Sequence, residues 1–151
     1  MLRDSALFIN TNFIARIRIT MVTFSHTIFY VKDVPKALAF YKDAFGLEPK
    51  FIHESNQYAE LATGSTALAF ASDQLAAYNL PKGYVPHDIS KVPLACEIAL
   101  SVSDVQAWYE RALRAGAHSI AAPQQKPWGQ VVAYVQDPNG VLVEIAGPLS
   151  S

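Results

Sequence analysis

Polar and apolar positions along the chain follow two alternating periods. Residues 25–31 and 97–102 read as strands with a two-residue repeat. Each is followed by an aspartate, Asp33 or Asp104, whose carboxylate suits a helix start because it accepts from free backbone N–H groups. Beyond each aspartate the apolar spacing changes to 3.6 residues. Ala37, Leu38, Tyr41, Ala44 and Phe45 share one helical face before Gly46. Val105, Trp108, Ala112 and Ala115 share another before Gly116. Short strand candidates follow, near 49–54, 58–63 and 66–71 in the first half and near 118–121, 130–136 and 141–146 in the second. Thr63-Gly64-Ser65 and Asp137-Pro138-Asn139-Gly140 supply turn residues between them.

The chain therefore repeats itself. Val31, Asp33 and Val34 match Val102, Asp104 and Val105 at one constant offset. Two copies point to a duplicated module rather than a solenoid, which needs three or more repeats. The expected class is α+β, with two tandem βαβββ modules. One domain is expected over 21–151, with module one at 23–71 and module two at 94–147. Residues 72–93 contain Pro81, Gly83, Pro86 and Pro93 and show little periodicity, so we expect a linker that covers a cavity.

Composition narrows the function. In 151 residues, 51% hydrophobic and 17% charged, there is enough apolar material for one core. A net charge of -1 with no basic cluster argues against nucleic acid as a partner. Cys96 is the only cysteine, which fits a cytoplasmic location and suggests a small buried apolar side chain. Residues 1–20 hold an apolar stretch bounded by Arg3 and Asp4 and by Arg16 and Arg18. It is shorter than the roughly 20 residues that span a bilayer, so no membrane is expected. Asp4 also spoils the cationic start of a signal peptide. We expect 1–20 to be an N-terminal extension, untranslated or disordered, with translation beginning at Met21.

Strand parity places ionisable groups together. His26, Ile28 and Tyr30 share one face, while Thr27, Phe29 and Val31 share the other. Glu97, Ala99 and Ser101 likewise oppose Ile98, Leu100 and Val102, and Glu144 opposes Val143 and Ile145. The apolar face of each strand should pack under a helix, leaving His26, Glu97 and Glu144 on the concave side. A carboxylate among apolar neighbours is costly unless a cation or strong donors satisfy it. Two carboxylates and an imidazole suit a borderline or hard divalent ion.

The run 26–45, the strand Ile98-Ala-Leu-Ser-Val-Ser-Asp-Val105 and Asp137-Pro-Asn-Gly-Val-Leu-Val-Glu-Ile145 resemble the vicinal oxygen chelate superfamily. That superfamily includes glyoxalase I, extradiol dioxygenases and bleomycin-resistance proteins, and the resemblance covers about 23–147. It implies a U-shaped mixed sheet around a cavity, and a homodimer with the cavity at or near the interface. It also implies up to four metal ligands, from the first and last strands of each module. His26, Glu97 and Glu144 take three of those places, and 67–71 supplies none for the fourth. Glu97 departs from the pattern, because glyoxalase I has a histidine there and extradiol dioxygenases keep two histidines.

Other side chains could contribute. Glu60 could line the cavity, and Tyr30 and Trp128 could stack on a planar ligand. Trp128 lies in Lys126-Pro-Trp-Gly-Gln130, similar to a tryptophan-glycine element of bleomycin-resistance-like members. His26 could instead hydrogen-bond Glu144 or Glu97. His53, His87 and His118 are expected at the surface, with His87, in the covering loop, also able to swing towards a ligand.

Two functions remain open at this level. One is a divalent-metal-assisted, lactoylglutathione-lyase-like lyase or isomerase, acting on a small oxygenated metabolite with Glu144 or Glu97 as base. The other is a metal-free binder of a drug or aromatic compound.

Overall fold

The structure is a computed structural model and describes residues 22–149. The expectation for 1–20 lies outside those residues. The elements run β1 (His26–Val31), α1 (Val34–Phe45), β2 (Pro49–Ile52), β3 (Tyr58–Leu61), β4 (Ala67–Ser72), α2 (Asp73–Asn79), β5 (Glu97–Ser101), α3 (Val105–Arg114), β6 (His118–Gln125), β7 (Val131–Gln136) and β8 (Leu142–Ala146). They form two four-stranded sheets, ordered β1-β4-β3-β2 and β5-β8-β7-β6. β1 pairs with β4 and β5 with β8 in parallel; the remaining pairs are antiparallel. This is the expected α+β architecture, with the same strand order in both halves.

Local chemistry sets the helix ends. The Asp33 carboxylate accepts from the Lys36 N–H at 3.0 Å, and the Asp104 carboxylate accepts from the Ala107 N–H at 3.0 Å. Gly46 ends α1 with φ of 69°, a conformation that favours glycine.

Packing follows the parity expected for the strands. Phe29 and Val31 of β1 and Val143 and Ile145 of β8 are buried in one core with the inward faces of α1 and α3. Burying each of these large side chains contributes about 1.5–3 kcal/mol. The two helices pack against each other. Arg111 of α3 reaches across, its Nε donating to the Asp43 carbonyl at 2.6 Å while its guanidinium lies 4.9 Å from the Trp108 ring.

A buried carboxylate adds a second tie. Asp137, fully buried in the β7–β8 turn, accepts from the N–H groups of Asn139 and Val141, each at 2.8 Å. Its other oxygen accepts from the Tyr41 hydroxyl of α1 at 3.1 Å. Gly140 completes the turn at φ of 94°, and a Cβ there would lie 2.6 Å from the Asp88 backbone. The linker rests directly on that glycine.

Two expectations are corrected. The linker is not purely irregular, because α2 forms within it. Ser72 caps that helix by accepting from the Leu75 N–H at 3.1 Å. Among its residues only Ala76 is buried, so no apolar stripe announced it. Cys96 is exposed rather than buried. It sits in a tight turn, its N–H donating to the Leu94 carbonyl at 2.8 Å, just before the edge strand β5, where no layer covers it.

Replacing Tyr41 by Phe leaves its oxygen partner on the buried Asp137 carboxylate with only the long 3.5 Å bond from the Asn139 side chain and should cost about 1–3 kcal/mol in denaturant unfolding. Burial raises the Asp137 carboxyl above its ordinary 3.8, and the hydrogen bonds from Val141, Asn139 and Tyr41 offset only part of that rise. The folded chain therefore takes up this proton at higher pH than the unfolded chain does. Lowering the pH from the folded value to 3.8 should then stabilise the wild type relative to Asp137→Asn. Parallel unfolding curves of the two proteins across that window check the sign.

Candidate ligand-binding face

α1 packs on the first sheet, α3 on the second and the two helices on each other, so the opposite faces carry neither of them, while α2 lies against β1 and β4. On the first sheet, β4 gives that face a floor of small side chains, Ala67, Ala69 and Ala71, all buried. His26 of β1 stands opposite Ala67, and Glu60 of β3 stands opposite Ala69. The His26 Nε2 lies 3.2 Å from Glu60 Oε1, and its Nδ1 lies 2.8 Å from the Ser25 hydroxyl. The Tyr58 hydroxyl donates to the same Glu60 oxygen at 3.1 Å, and Lys50 Nζ is 3.6 Å from the other. Burial alone would raise the Glu60 carboxyl, but hydrogen bonds from Tyr58 and His26, with Lys50 nearby, outweigh it and hold the group below its usual range. Tyr58 responds in the opposite sense, pushed up to about 12 by burial and by its bond to Glu60.

The second sheet carries a different pair. Glu144 of β8 stands between Ala99 of β5 and Tyr134 of β7. The Tyr134 hydroxyl donates to Glu144 Oε2 at 2.5 Å, a charge-assisted length. That bond, then burial, then the charges of Glu144 and Glu97 raise the Tyr134 phenol to about 12. Glu97 thus shares this face with Glu144. The Lys126 ammonium sits 5.7 Å from the Tyr134 ring centroid. Trp128 is 60% exposed, and its Nε1 donates to Gln130 Oε1 at 3.0 Å. A gap of about 340 Å³, lined by Thr27, Ala67, Glu97 and Ala99 among others, separates the edge strands β1 and β5.

The expected trio is not gathered. His26 pairs with Glu60 rather than with Glu97 or Glu144. Among the described residues no group of three or more His, Cys, Asp or Glu side chains stands close enough to hold a metal ion. These donors do not fit a three-ligand metal centre. Tyr30 packs on Tyr84 with ring centroids 4.9 Å apart and lines a cavity of about 200 Å³ beside Lys32, Asp73 and His87. His53 and His118 are exposed as expected. His87 departs from expectation: its ring lies 5.5 Å from Phe29, and its Nδ1 is buried without a partner.

Tyr58, Tyr134 and Lys50 were not anticipated as members of the face. Tyr58 stands two residues before Glu60 in one strand, so parity could have revealed it. The Tyr134–Glu144 pair needed the register of β7 on β8, which sequence alone does not provide. Replacing Glu144 by Gln should let the Tyr134 phenol ionise at lower pH, towards its ordinary 10.0, in an absorbance titration.

Comparisons with known proteins agree with this architecture. A family model described as the Glyoxalase/Bleomycin resistance protein/Dioxygenase superfamily matches residues 23–145. A 4-hydroxyphenylpyruvate dioxygenase of Dictyostelium discoideum is 29% identical over 114 residues, covering 70% of this chain but 29% of that protein. The chain therefore spans less than a third of the length of that relative. A glyoxalase-related enzyme from Fulvimarina pelagi superposes with a TM-score of 0.74 at 21% identity, covering 85% of this chain and 89% of the other. TioX from Micromonospora sp. ML1 superposes at 0.63 with 21% identity, covering 85% of this chain and 100% of its own. At these identities the structural likeness is one of fold. The chain belongs to the glyoxalase, bleomycin resistance protein and dioxygenase superfamily.

Proposed function

We propose that the chain binds a small organic molecule on the face opposite α1 and α3, holding its hydroxyl or amine groups by hydrogen bonds to carboxylates without a three-ligand metal centre. The observation that carries this reading is the pairing of the polar side chains, His26 with Glu60 on one sheet and Tyr134 with Glu144 on the other. Ionised carboxylates only accept hydrogen bonds, so the matching ligand is a donor. Apolar surface is available beside them: Ile28 is 45% and Phe51 47% exposed, and the Phe51 and Tyr58 rings lie 6.3 Å apart. Glu97, Tyr30 and Trp128 would extend the contact surface for a flat ligand.

The metal-assisted lyase or isomerase reading needs His26, Glu97 and Glu144 to reach one ion, with a divalent metal as cofactor. The separate pairs favour binding instead. Uncovered edge strands β2 and β6, with exposed Ile52 and Ile120, support a homodimer. Among the described residues no helix is long and apolar enough to cross a membrane. Cys96, with no second cysteine to pair with, suits a reducing cytoplasm.

Catechol, a flat ring with two adjacent hydroxyl donors, tests the reading. Its titration should shift backbone amide signals of β1, β3, β7 and β8, while elemental analysis of the purified protein finds no stoichiometric divalent metal. A stoichiometric metal that is lost in Glu144→Gln would overturn the reading in favour of the metal-assisted lyase.

A further inference from the structure

One imidazole nitrogen in the linker has no partner within the chain. His87 Nδ1 is buried and makes no hydrogen bond, although its ring is seated 5.5 Å from the Phe29 ring. Leaving a buried nitrogen unpaired is costly, so its position calls for a partner from outside the chain. The same side chain lines a cavity of about 200 Å³ where the end of β1, the start of α2, the linker and the β7–β8 turn meet. Lys32 and Asp73 line that cavity too. We propose that the cavity is a second binding site, for a short carboxylic acid that carries a hydroxyl or amine donor. The acid's carboxylate meets Lys32 and His87 Nδ1, and its donor meets Asp73. Lys32 follows His26 by six residues, about 20 Å along an extended chain, so this site does not depend on the carboxylate pairs of the sheet faces.

Charge selects that ligand. Among the described residues no carboxylate pairs with Lys32, so its ammonium is open to an acceptor. Asp88, also in the wall, is already matched by Lys91 at 3.3 Å and by the Ser90 hydroxyl at 2.6 Å. Asp73 has no such cation. One of its oxygens accepts from the Tyr84 hydroxyl at 2.6 Å, which leaves the other for a ligand donor. A plain anion would meet Asp73 as a like charge, and a plain cation would meet Lys32 as one. A molecule with a carboxylate at one end and a donor at the other satisfies both. The walls are fixed by contacts within the chain. Tyr84, tied to Asp73, packs on Tyr30 with ring centroids 4.9 Å apart. The turn and the linker touch at Gly140, where a Cβ would lie 2.6 Å from the Asp88 backbone. Pro86, Ile89 and Pro138 offer the ligand's carbon body an apolar surface.

The test uses 3-hydroxybutyrate, with butyrate and 3-hydroxybutyramide as relatives that each lack one of the two groups. NMR titrations of the full chain follow the His87 ring signals. 3-Hydroxybutyrate should shift them and hold the proton on Nδ1, where it donates to the carboxylate. Butyrate and the amide should each bind about tenfold more weakly, the scale of one charged hydrogen bond. Lys32→Met should lose about tenfold in affinity for 3-hydroxybutyrate while keeping the melting temperature, because the Lys32 side chain is exposed. His87 signals that 3-hydroxybutyrate leaves unmoved overturn the site. Unchanged affinity in Lys32→Met overturns the placement of the carboxylate, and equal affinity for butyrate overturns the contact with Asp73.

Discussion

A fully buried carboxylate needs every oxygen satisfied, and the arrangement of this chain turns on how Asp137 meets that need. Three of its partners lie in its own turn, the N–H groups of Asn139 and Val141 and the Asn139 side-chain amide, and fix the reversal between β7 and β8. The fourth is Tyr41, on the helix of the other sheet. One side chain thus shapes a hairpin and docks that hairpin on the opposite half. Glu144 and Tyr134 face each other because β8 leaves that turn in register with β7. The linker is seated by the same turn, through the close approach of Asp88 to Gly140 and the Gln136 side-chain bond to the Lys91 carbonyl at 3.3 Å.

The binding face depends on the opposite kind of residue. Asp137 works by filling hydrogen bonds, whereas Ala67 and Ala69 work by leaving space. A larger side chain on β4 would stand between His26 and Glu60 and replace a charge-assisted contact with a steric one. The two sheets give their acids different partners: tyrosine for Glu144, histidine and tyrosine for Glu60. The ionised state of Glu60 and the raised phenols of Tyr58 and Tyr134 follow from those pairings.

Much of the fold was legible in the sequence because it rests on local signals. Asp33 and Asp104 announced the helix starts, Gly46 announced a stop, and the period of two around Phe29 and Val143 separated core from open face. α2 escaped because a short helix with one buried residue leaves no stripe to read. Cys96 escaped because composition describes where cysteines usually sit, while its exposure depends on lying at an uncovered sheet edge. The site was half legible. His26, Glu97 and Glu144 do project from the faces opposite α1 and α3, but parity fixes a face and not a partner. Whether His26 meets Glu60 or Glu144 depends on the β1–β4–β3 register and on the size of Ala69, both of which are tertiary facts.

The central claim is that the Tyr41–Asp137 tie and the helix packing around it make the two halves one cooperative unit. Native-state hydrogen exchange tests it directly. The slowest amides of β4 and β8 should share one opening free energy, equal to that of global unfolding. Opening energies that differ between the two strands by more than about 2 kcal/mol would show that the halves open independently, and would contradict the account.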